Sequence, residues 1–551
     1  MPSSRDPATS SLARIRAVCG PESDTGILRD MARGHLARRH LGTVAALVVA
    51  VPLAGCGLFQ SKVAGVAKPG PAGAARTFLT ALAAGDTAGA AQATDDPANA
   101  KGLLDRTRDA LKPVAVTATL GNVNDPDPGG SANATYQASW DLGKGRTWSY
   151  QGGFDLRRNA EGWKVHWAPS VLHPKLGAQQ SLALRVQPPA PAPVLDANGA
   201  PLPPSDTVVA SAVGKAVDDQ MAAKAGWRVV TVNAAGGEVD QLAGKPPAPV
   251  QPATTTIAPN VQAAAEAAVG PVPQPAVLVA MRPSTGELLA VAQNPPADAQ
   301  GPIAFSGRFP PGSTFKIVTA VAALESGKAT ADTPEPCPGT TQVNGHEIPN
   351  EDKFDKGVIP LHAAFAFSCN TTFGPLAAQL PADALPNTAK QLGIGVDFDM
   401  PGATTLTGGV PPTNDSTERA MDGFGQGKDI VSPFGMALAA ATVANGTMPM
   451  PSLLRGQPAK ADANPPPVPQ PVVDAVRQMM REVVAYGTAT HVKDIPGVAG
   501  KTGTAQFGDG VHSHGWFVGF RGDLAFAVLL LGADSSTPAV DVTGAFLRAL
   551  H

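Results

Sequence analysis

Two proline-rich stretches break the chain: QPPAPAPVLDANGAPLPP at 187–204 and KPPAPVQPA at 245–253. Proline has no backbone N–H and a fixed φ, so neither stretch can run through a helix interior or the middle of a sheet. A chain of 551 residues interrupted in this way folds as several units rather than around one core. Its 59 Gly and 55 Pro exceed ordinary usage, so loops and turns take up much of the length. Charge excludes one class of partner. With 42 Lys+Arg against 45 Asp+Glu, a net charge of −3 and only 16% charged residues, there is no field to attract nucleic acid. The four cysteines, Cys19, Cys56, Cys337 and Cys369, show neither CxxC nor metal-ligand spacing, which excludes a disulfide scaffold and a zinc fold.

The run LGTVAALVVAVPLA, Leu41 to Ala54, follows a cluster with Arg33, Arg38 and Arg39. As a helix it spans about 21 Å, short of the ~30 Å hydrocarbon core, and it fits the apolar region of an export signal. It ends in Leu53-Ala54-Gly55-Cys56, which resembles the bacterial lipobox. Cys56 is then the expected site of lipidation and the first residue of the mature protein; an ordinary signal or an uncleaved anchor with a chance Cys is the alternative. Residues 1–30 have no apolar period and form a doubtful extension, Met31 being the expected start, with the signal at 31–56. The expected location is outside the cytoplasmic membrane, anchored to its outer face as a lipoprotein.

Residues 57–72 read as a flexible tether. In 73–178, the helical pattern AARTFLTALAAGD, stopping at Gly85, and another near Leu103–Leu111 precede alternating strands in ANATYQASWDL, RTWSYQGGFDLRR and GWKVHWAPSVL. Helices followed by an antiparallel sheet predict a small α+β module. Residues 179–253 form a linker or pedestal whose middle, between the proline-rich hinges, is poorly patterned. From 254 to 551 helix and strand signals alternate, with PAVLVAMRPSTGELLAVAQNP predicted as a hairpin turning at Thr285-Gly286 and ANPPPVPQP, 463–471, as a surface loop.

The chemistry lies in this last unit. Ser313-Thr314-Phe315-Lys316 is entered by Phe309-Pro310-Pro311-Gly312 and followed by IVTAVAALESG. Pro and Gly at the entry predict a helix start with Ser313 at its cap, and the i, i+3 spacing sets Lys316 beside the Ser313 hydroxyl. A hydroxyl and a base within hydrogen-bond reach are what covalent catalysis requires. An ordinary lysine has about one part in two to three thousand unprotonated at pH 7, so burial and a neighbouring cation must favour the neutral amine by about 3–4 kcal/mol. Ser368-Cys369-Asn370 and Lys501-Thr502-Gly503-Thr504 follow in order. A second Ser-x-Asn, Ser131-Ala132-Asn133, reads as a turn in the strand-rich module.

The order SxxK, SxN, KTG resembles the serine penicillin-recognising enzymes. PGSTFKIVTAVAALESG, AFAFSCNTTF, FGQGKDIVSPFGMALAAATVANG, VVAYGTA, VAGKTGTAQ and HGWFVGF each resemble segments of class B penicillin-binding proteins, in family order. The stretch from TYQASWDL to GWKVHWAPSVLHP resembles the NTF2-like N-terminal domain of the methicillin-resistance type. The resemblance implies a multidomain α+β fold: an NTF2-like module, a short pedestal of the dimerisation type, and a serine β-lactamase/transpeptidase-like domain with a five-stranded antiparallel sheet flanked by helices and an all-helical subdomain.

It also implies roles. Ser313 attacks the D-Ala-D-Ala carbonyl of a peptidoglycan stem peptide, Lys316 takes its proton, Ser368 relays a proton to the leaving amine, and Asn370 holds the substrate amide and steadies Lys316. Lys501 keeps Lys316 neutral and docks a carboxylate, to which Thr502 and Thr504 hydrogen-bond; Gly503 completes the motif, and the backbone N–H groups of Ser313 and Thr504 form the oxyanion hole. Implied partners are stem peptides, β-lactams, the cell-wall machinery of divisome or elongasome with its glycosyltransferase, and the membrane through the lipid. No cofactor and no metal is expected. Two departures stand out: the family's Arg-Gly and Asp-Arg-Asn-Gly region survives only as Asp196-Ala197-Asn198-Gly199, without its arginine, and the 179–253 linker is short.

Other residues have plainer readings. Cys369 is expected as a packed side chain, pairing with Cys337 being the alternative. His512 and His514 lack a carboxylate or Cys neighbour for a metal. Trp516 and Phe517 are expected to pack, and Gly425-Gln426-Gly427 lacks the Lys-Ser/Thr of a phosphate loop. Rival functions are a β-lactamase, a D,D-carboxypeptidase and a non-catalytic penicillin-binding sensor. The first needs a Glu-x-x-Leu-Asn segment, yet between Asn370 and Lys501 only Glu418 and Glu482 occur and neither begins one.

Overall fold

The computed structural model describes residues 68–203, 206–508 and 510–550. The expected signal, Met31, Cys19 and the lipobox Cys56 lie outside the described residues, as does most of the tether. Among the described residues no helix is long and apolar enough to cross a membrane.

Pro71 starts the first helix, Pro71–Ala84, and Gly85 ends it in the left-handed region at φ 71°, where a side chain would be strained. Ala74, Ala75, Phe78, Leu79 and Leu82 form its buried face. That face covers a four-stranded antiparallel sheet, Ala115–Val123, Ser131–Asp141, Thr147–Asn159 and Gly162–Val165, paired in chain order. Strict alternation sends Ala132, Ala134, Tyr136, Ala138 and Trp140 inward. The buried Tyr136 hydroxyl donates to the Val171 carbonyl at 2.6 Å, which satisfies the one polar atom of that side chain. Ser131-Ala132-Asn133, expected as a turn, instead opens the second strand; the turn precedes it, closed by Ser131 N–H to Asp127 Oδ1 at 2.8 Å.

The pedestal is better ordered than its sequence predicts. Strands Ser181–Gln187, Gly226–Val232 and Glu238–Lys245 form an antiparallel sheet, and Thr207–Lys224 is a helix. The helix has a weak apolar period and is held by tertiary contact: Val208, Val209 and Val213 enter the core of the last domain. The two proline-rich stretches lie side by side, Val194–Leu195 pairing in parallel with Ala253–Thr254. Both segments avoid proline where an N–H is needed, and Thr255 N–H donates to Leu195 O at 2.8 Å. Asp196 is buried, its Oδ1 accepting from Asn198 N at 2.8 Å and Ala200 N at 3.0 Å. Where the family arginine is missing, Arg455 of the last domain donates to the Ala197 carbonyl.

The last domain is built on a five-stranded antiparallel sheet in the order Leu288–Gln293, Ala276–Met281, Leu524–Leu530, His512–Arg521, Val498–Phe507. The first two form the expected hairpin, Arg282 N–H donating to Glu287 O at 2.8 Å across the Thr285-Gly286 turn. Every residue of Ala276–Met281 is buried, which requires cover on both faces. Helices Pro259–Val269 and Thr537–Arg548 pack together on the sheet; Pro433–Asn445 packs on its central strands.

The second subdomain is not all-helical, contrary to expectation. Among its helices run two small ribbons, Pro334–Cys337 with Gly357–Pro360 and Thr340–Val343 with His346–Pro349. The second turns at Asn344-Gly345, both at positive φ, 50° and 82°. Asn-Gly between two extended runs is a strong short hairpin signal, and TTQVNGHEIP carries it.

Candidate active site

Ser313 lies in a 3₁₀ turn, Gly312–Phe315, and Lys316 begins the α-helix Lys316–Glu325. Ser313 is therefore not the helix cap that its sequence predicts; the residue before the turn is Pro311, which makes no side-chain cap. The tighter winding eclipses i with i+3, and Lys316 Nζ stands 2.9 Å from Ser313 Oγ. Gly312 has φ 52°, and a Cβ there would meet the Thr504 carbonyl oxygen at 2.6 Å. Glycine thus lets the Ser313 turn press against the Val498–Phe507 strand. Gly503 does the same from the strand side, where a Cβ would lie 2.8 Å from Pro311 O.

Ser368 holds a left-handed backbone, φ 64°, immediately before the helix Asn370–Ala378. Such a conformation is unfavourable for serine and needs surrounding support. Support comes from Ser368 N–H to Phe365 O at 3.0 Å and Cys369 N–H to Ala364 O at 2.9 Å. It also comes from a disulfide. Cys369 is bonded to Cys337, Sγ–Sγ 2.00 Å, so the packed free thiol expected for Cys369 is replaced by the alternative pairing. The two lie 32 residues apart and no local spacing announces them. The bond fastens the Ser-x-Asn turn to the ribbon strand Pro334–Cys337.

Lys316 Nζ makes four close contacts: Ser313 Oγ, Ser368 O at 2.8 Å, Ser368 Oγ at 3.1 Å and Asn370 Oδ1 at 2.6 Å. Asn370 Nδ2 donates to Pro349 O at 3.0 Å, which fixes its amide with the oxygen toward the lysine. The Ser368 carbonyl and Asn370 Oδ1 can only accept. A neutral amine gives its two hydrogens to these two oxygens and keeps one lone pair for a serine hydroxyl. Burial, then the positive charge of Lys501, holds the Lys316 amine well below the usual lysine range, opposed only by Glu351.

Lys501 is also fully buried, on the edge strand Val498–Phe507. Its Nζ donates to Ser368 Oγ at 2.9 Å and to Thr502 O at 3.0 Å, so Ser368 Oγ sits between the two amines. Burial brings its pKa down to about 7, with Glu351 opposing. Thr502 Oγ1 pairs with Thr488 Oγ1 at 2.6 Å, and Gln426 Nε2 donates to Thr504 O at 3.1 Å. Thus the structure brings together Ser313, Lys316, Ser368, Asn370 and Lys501 through direct contacts, with Thr502, Gly503 and Thr504 on the same strand.

Sequence reasoning missed Thr488, Gln426 and Glu351. The first two lie inside VVAYGTA and FGQGKDIVSPFGMALAAATVANG, so the segments carried a signal; Thr488 was not singled out, and Gln426 was read only within a Gly-Gln-Gly that fails as a phosphate loop. Trp516 and Phe517 are buried as expected, Trp516 Nε1 donating to Pro310 O at 3.0 Å behind the Ser313 turn. His514 stacks on Phe507, ring centroids 4.2 Å apart, and its Nδ1 accepts from Gly532 N–H at 3.2 Å. Burial pulls its pKa down to about 4, leaving a neutral packing ring.

Residues 276–549 match the family described as the penicillin-binding protein transpeptidase domain, and 70–180 match the NTF2-like N-terminal transpeptidase domain. The peptidoglycan D,D-transpeptidase PbpA of Mycobacterium tuberculosis is 31% identical over 355 residues, covering 54% of this chain and 70% of the relative. In fold the chain is similar to the D,D-transpeptidase domain of a peptidoglycan glycosyltransferase from Eggerthella lenta, with TM-score 0.53 and 24% identity over 65% of this chain and 97% of that one. It is similar also to Pseudomonas aeruginosa PBP2 in complex with WCK 5153, with TM-score 0.51 and 26% identity over 66% and 96%. A buried Ser-Lys pair closed by Ser-x-Asn and Lys-Thr-Gly, on this sheet and behind this N-terminal module, agrees with those matches: the chain belongs to the class B penicillin-binding proteins, with an NTF2-like N-terminal domain joined to a penicillin-binding transpeptidase domain.

Proposed function

We propose that this protein is a serine-type peptidoglycan D,D-transpeptidase that cross-links stem peptides through an acyl-enzyme on Ser313 and is acylated at the same atom by β-lactams. The observation that carries the reading is the 2.9 Å contact between Ser313 Oγ and the buried, proton-poor Lys316 amine. In the first half-reaction Ser313 Oγ bonds to the penultimate D-Ala carbonyl carbon and its proton passes to Lys316. The negative charge gathers on the carbonyl oxygen, facing the Ser313 and Thr504 N–H groups. Ser368, in contact with both amines, carries the proton to the departing nitrogen, the C–N bond breaks and D-Ala leaves. In the second, the amine of another stem peptide attacks the ester carbon, its proton returns to Ser313 and the cross-link forms.

Each remaining residue has a task in this scheme. Asn370 holds both Lys316 and the substrate amide, and charged Lys501 draws the terminal carboxylate to Thr502 and Thr504. The Cys337–Cys369 bond suits a protein working outside the reducing cytosol. We place it on the outer face of the cell membrane, held by lipid at Cys56 and acting with a divisome or elongasome glycosyltransferase. Labelling with a fluorescent penicillin tests the core of the reading. Wild type gives a covalent band and Ser313→Ala gives none; an unlabelled wild type overturns it. Transfer of a labelled D-amino-acid acceptor into product, in preference to hydrolysis, separates transpeptidase from carboxypeptidase. Globomycin-sensitive processing, or palmitate incorporated at Cys56, tests the anchor.

A further inference from the structure

The nucleophile turn rests on a segment that contains two buried acids with no counter-charge of their own. Residues 422–431 hold the turn at three points. Gly312 N–H donates to Gly425 O at 3.0 Å, Phe309 and Val431 exchange two backbone hydrogen bonds of 2.9 Å, and Thr319 Oγ1 donates to Gly423 O at 2.7 Å. Gln426, in the same segment, reaches the Thr504 carbonyl. The backbone of both oxyanion-hole residues is therefore positioned by this segment.

Asp422 ends the helix Ser416–Asp422 and Asp429 lies just before the strand Ile430–Val431; each is only 2% exposed. The Asp422 carboxyl is folded against the loop that leads to Asp429, and its charge is the one that bears on the Asp429 carboxyl. Asp422 Oδ1 accepts from Lys428 N–H at 2.9 Å, whereas among the described residues no hydrogen-bond donor reaches either Asp429 oxygen. The charged groups bearing on the pair are Glu418 and Lys428. Their own charges are joined to each other at 2.9 Å, and Glu418 raises Asp422 more than the Lys428 charge lowers it. Two neighbouring buried carboxylates repel, and an unpaired buried charge is costly. A carboxyl can donate only when it carries a proton.

We propose that Asp422 and Asp429 are positioning residues that share one proton, and that this single hydrogen bond latches the 422–431 segment under the nucleophile turn. Burial first, then the neighbouring Asp422 charge, pushes Asp429 well above the usual carboxylate range, and burial raises Asp422 too, in agreement with the geometry. The Asp429 proton bridges to Asp422 Oδ and closes the loop end to end. Losing it leaves two facing anions, and the loop swings away from Gly312 and Thr504.

The inference rests on the acyl-transfer reading only for its effect on rate, so its first test is independent of activity. Infrared spectroscopy of wild type at neutral pH shows the C=O stretch of a protonated buried carboxyl, absent in Asp429→Asn. Corrected for the base-catalysed rise of the intrinsic rate, the hydrogen-exchange protection of 423–429 falls about tenfold in wild type on going from neutral to alkaline pH, and stays level in Asp429→Asn, whose amide donates at any pH. Asp429→Ala slows penicillin acylation about tenfold through the displaced oxyanion hole, and Asp429→Asn recovers it. No protonated-carboxyl signal in wild type, a stoichiometric metal ion retained after dialysis, or Asp429→Asn as slow as Asp429→Ala each overturns the proposal. An unlabelled wild type that still shows the signal sinks the function while leaving the pair intact.

Discussion

The two buried lysines are set apart by environment alone, since both start as the same side chain. Lys316 touches Lys501 only through Ser368 Oγ, and of the two it is the one further depressed by its neighbour's charge. With Lys501 at about 7, the free protein loses the charge proposed to dock the carboxylate as pH rises through neutrality. The second-order acylation rate should therefore fall on an alkaline limb nearer 7 than 10. Lys501→Arg, charged at all these pH values, should move that limb upward; a limb unmoved by this change would reject the assignment. Lys316→Ala, which removes the proposed base, should cost about 10²–10⁴ in acylation rate by stopped-flow penicillin binding. Folding stability carries the same signature with a defined sign. An unfolded lysine keeps its proton to about pH 10.4, whereas folded Lys501 releases it near 7. Between those values the unfolded chain binds more protons, so the lysine's contribution improves as pH rises. The stability advantage of Lys501→Met over wild type should then narrow between neutral and alkaline pH in urea titrations. At this scale Ser313, Lys316, Ser368, Asn370 and Lys501 were legible because their chemistry has a spacing; the contacts of Thr488 and Gln426 were not, because a hydroxyl facing another hydroxyl, or an amide serving a neighbour's carbonyl, leaves no pattern.

At the scale of elements, the Ser-x-Asn turn shows why the disulfide belongs in the catalytic argument. The left-handed Ser368 is held between the helices Leu361–Ala366 and Asn370–Ala378, and the next residue is covalently tied to the ribbon. Closing a loop of this length restricts the unfolded chain by about 3–4 kcal/mol. The double change Cys337→Ala with Cys369→Ala should thus lower the melting temperature by several degrees and slow penicillin acylation, as Ser368 loses its fixed orientation. Unchanged acylation at a lowered melting temperature would make the bond a purely global support. The ribbon has a local signal in Asn344-Gly345, which the expectation of an all-helical subdomain passed over. The helix Thr207–Lys224 was not readable. Its apolar residues gain their meaning from a core contributed by chain far away in sequence, and local periodicity is blind to that.

In the whole molecule the pedestal has a foot in each of two cores. Leu182 and Val229 belong to the core of the N-terminal module with Phe78, Tyr136 and Trp140. Val208, Val209 and Val213 belong to the core of the transpeptidase domain with Val277, Phe315 and Trp516. The proline-rich stretches that mark the pedestal in the sequence are thus pinned seams, paired to each other and to Arg455, rather than loose hinges. Two separate cores joined through one small sheet and helix predict calorimetric unfolding in two transitions. Ser313 lies in the second core's domain, so a penicillin acyl group on it should raise one transition and leave the other in place. Replacing Val209, fully buried, with Asp puts an unpaired charge in the second core and should lower the penicillin-sensitive transition most. A single transition that shifts as one under penicillin would show instead that the pedestal welds the two cores into one cooperative unit. Strain at the N-terminal module would then reach the acylation site, and changes at Tyr136 or Trp140 would alter the acylation rate as well as the melting temperature.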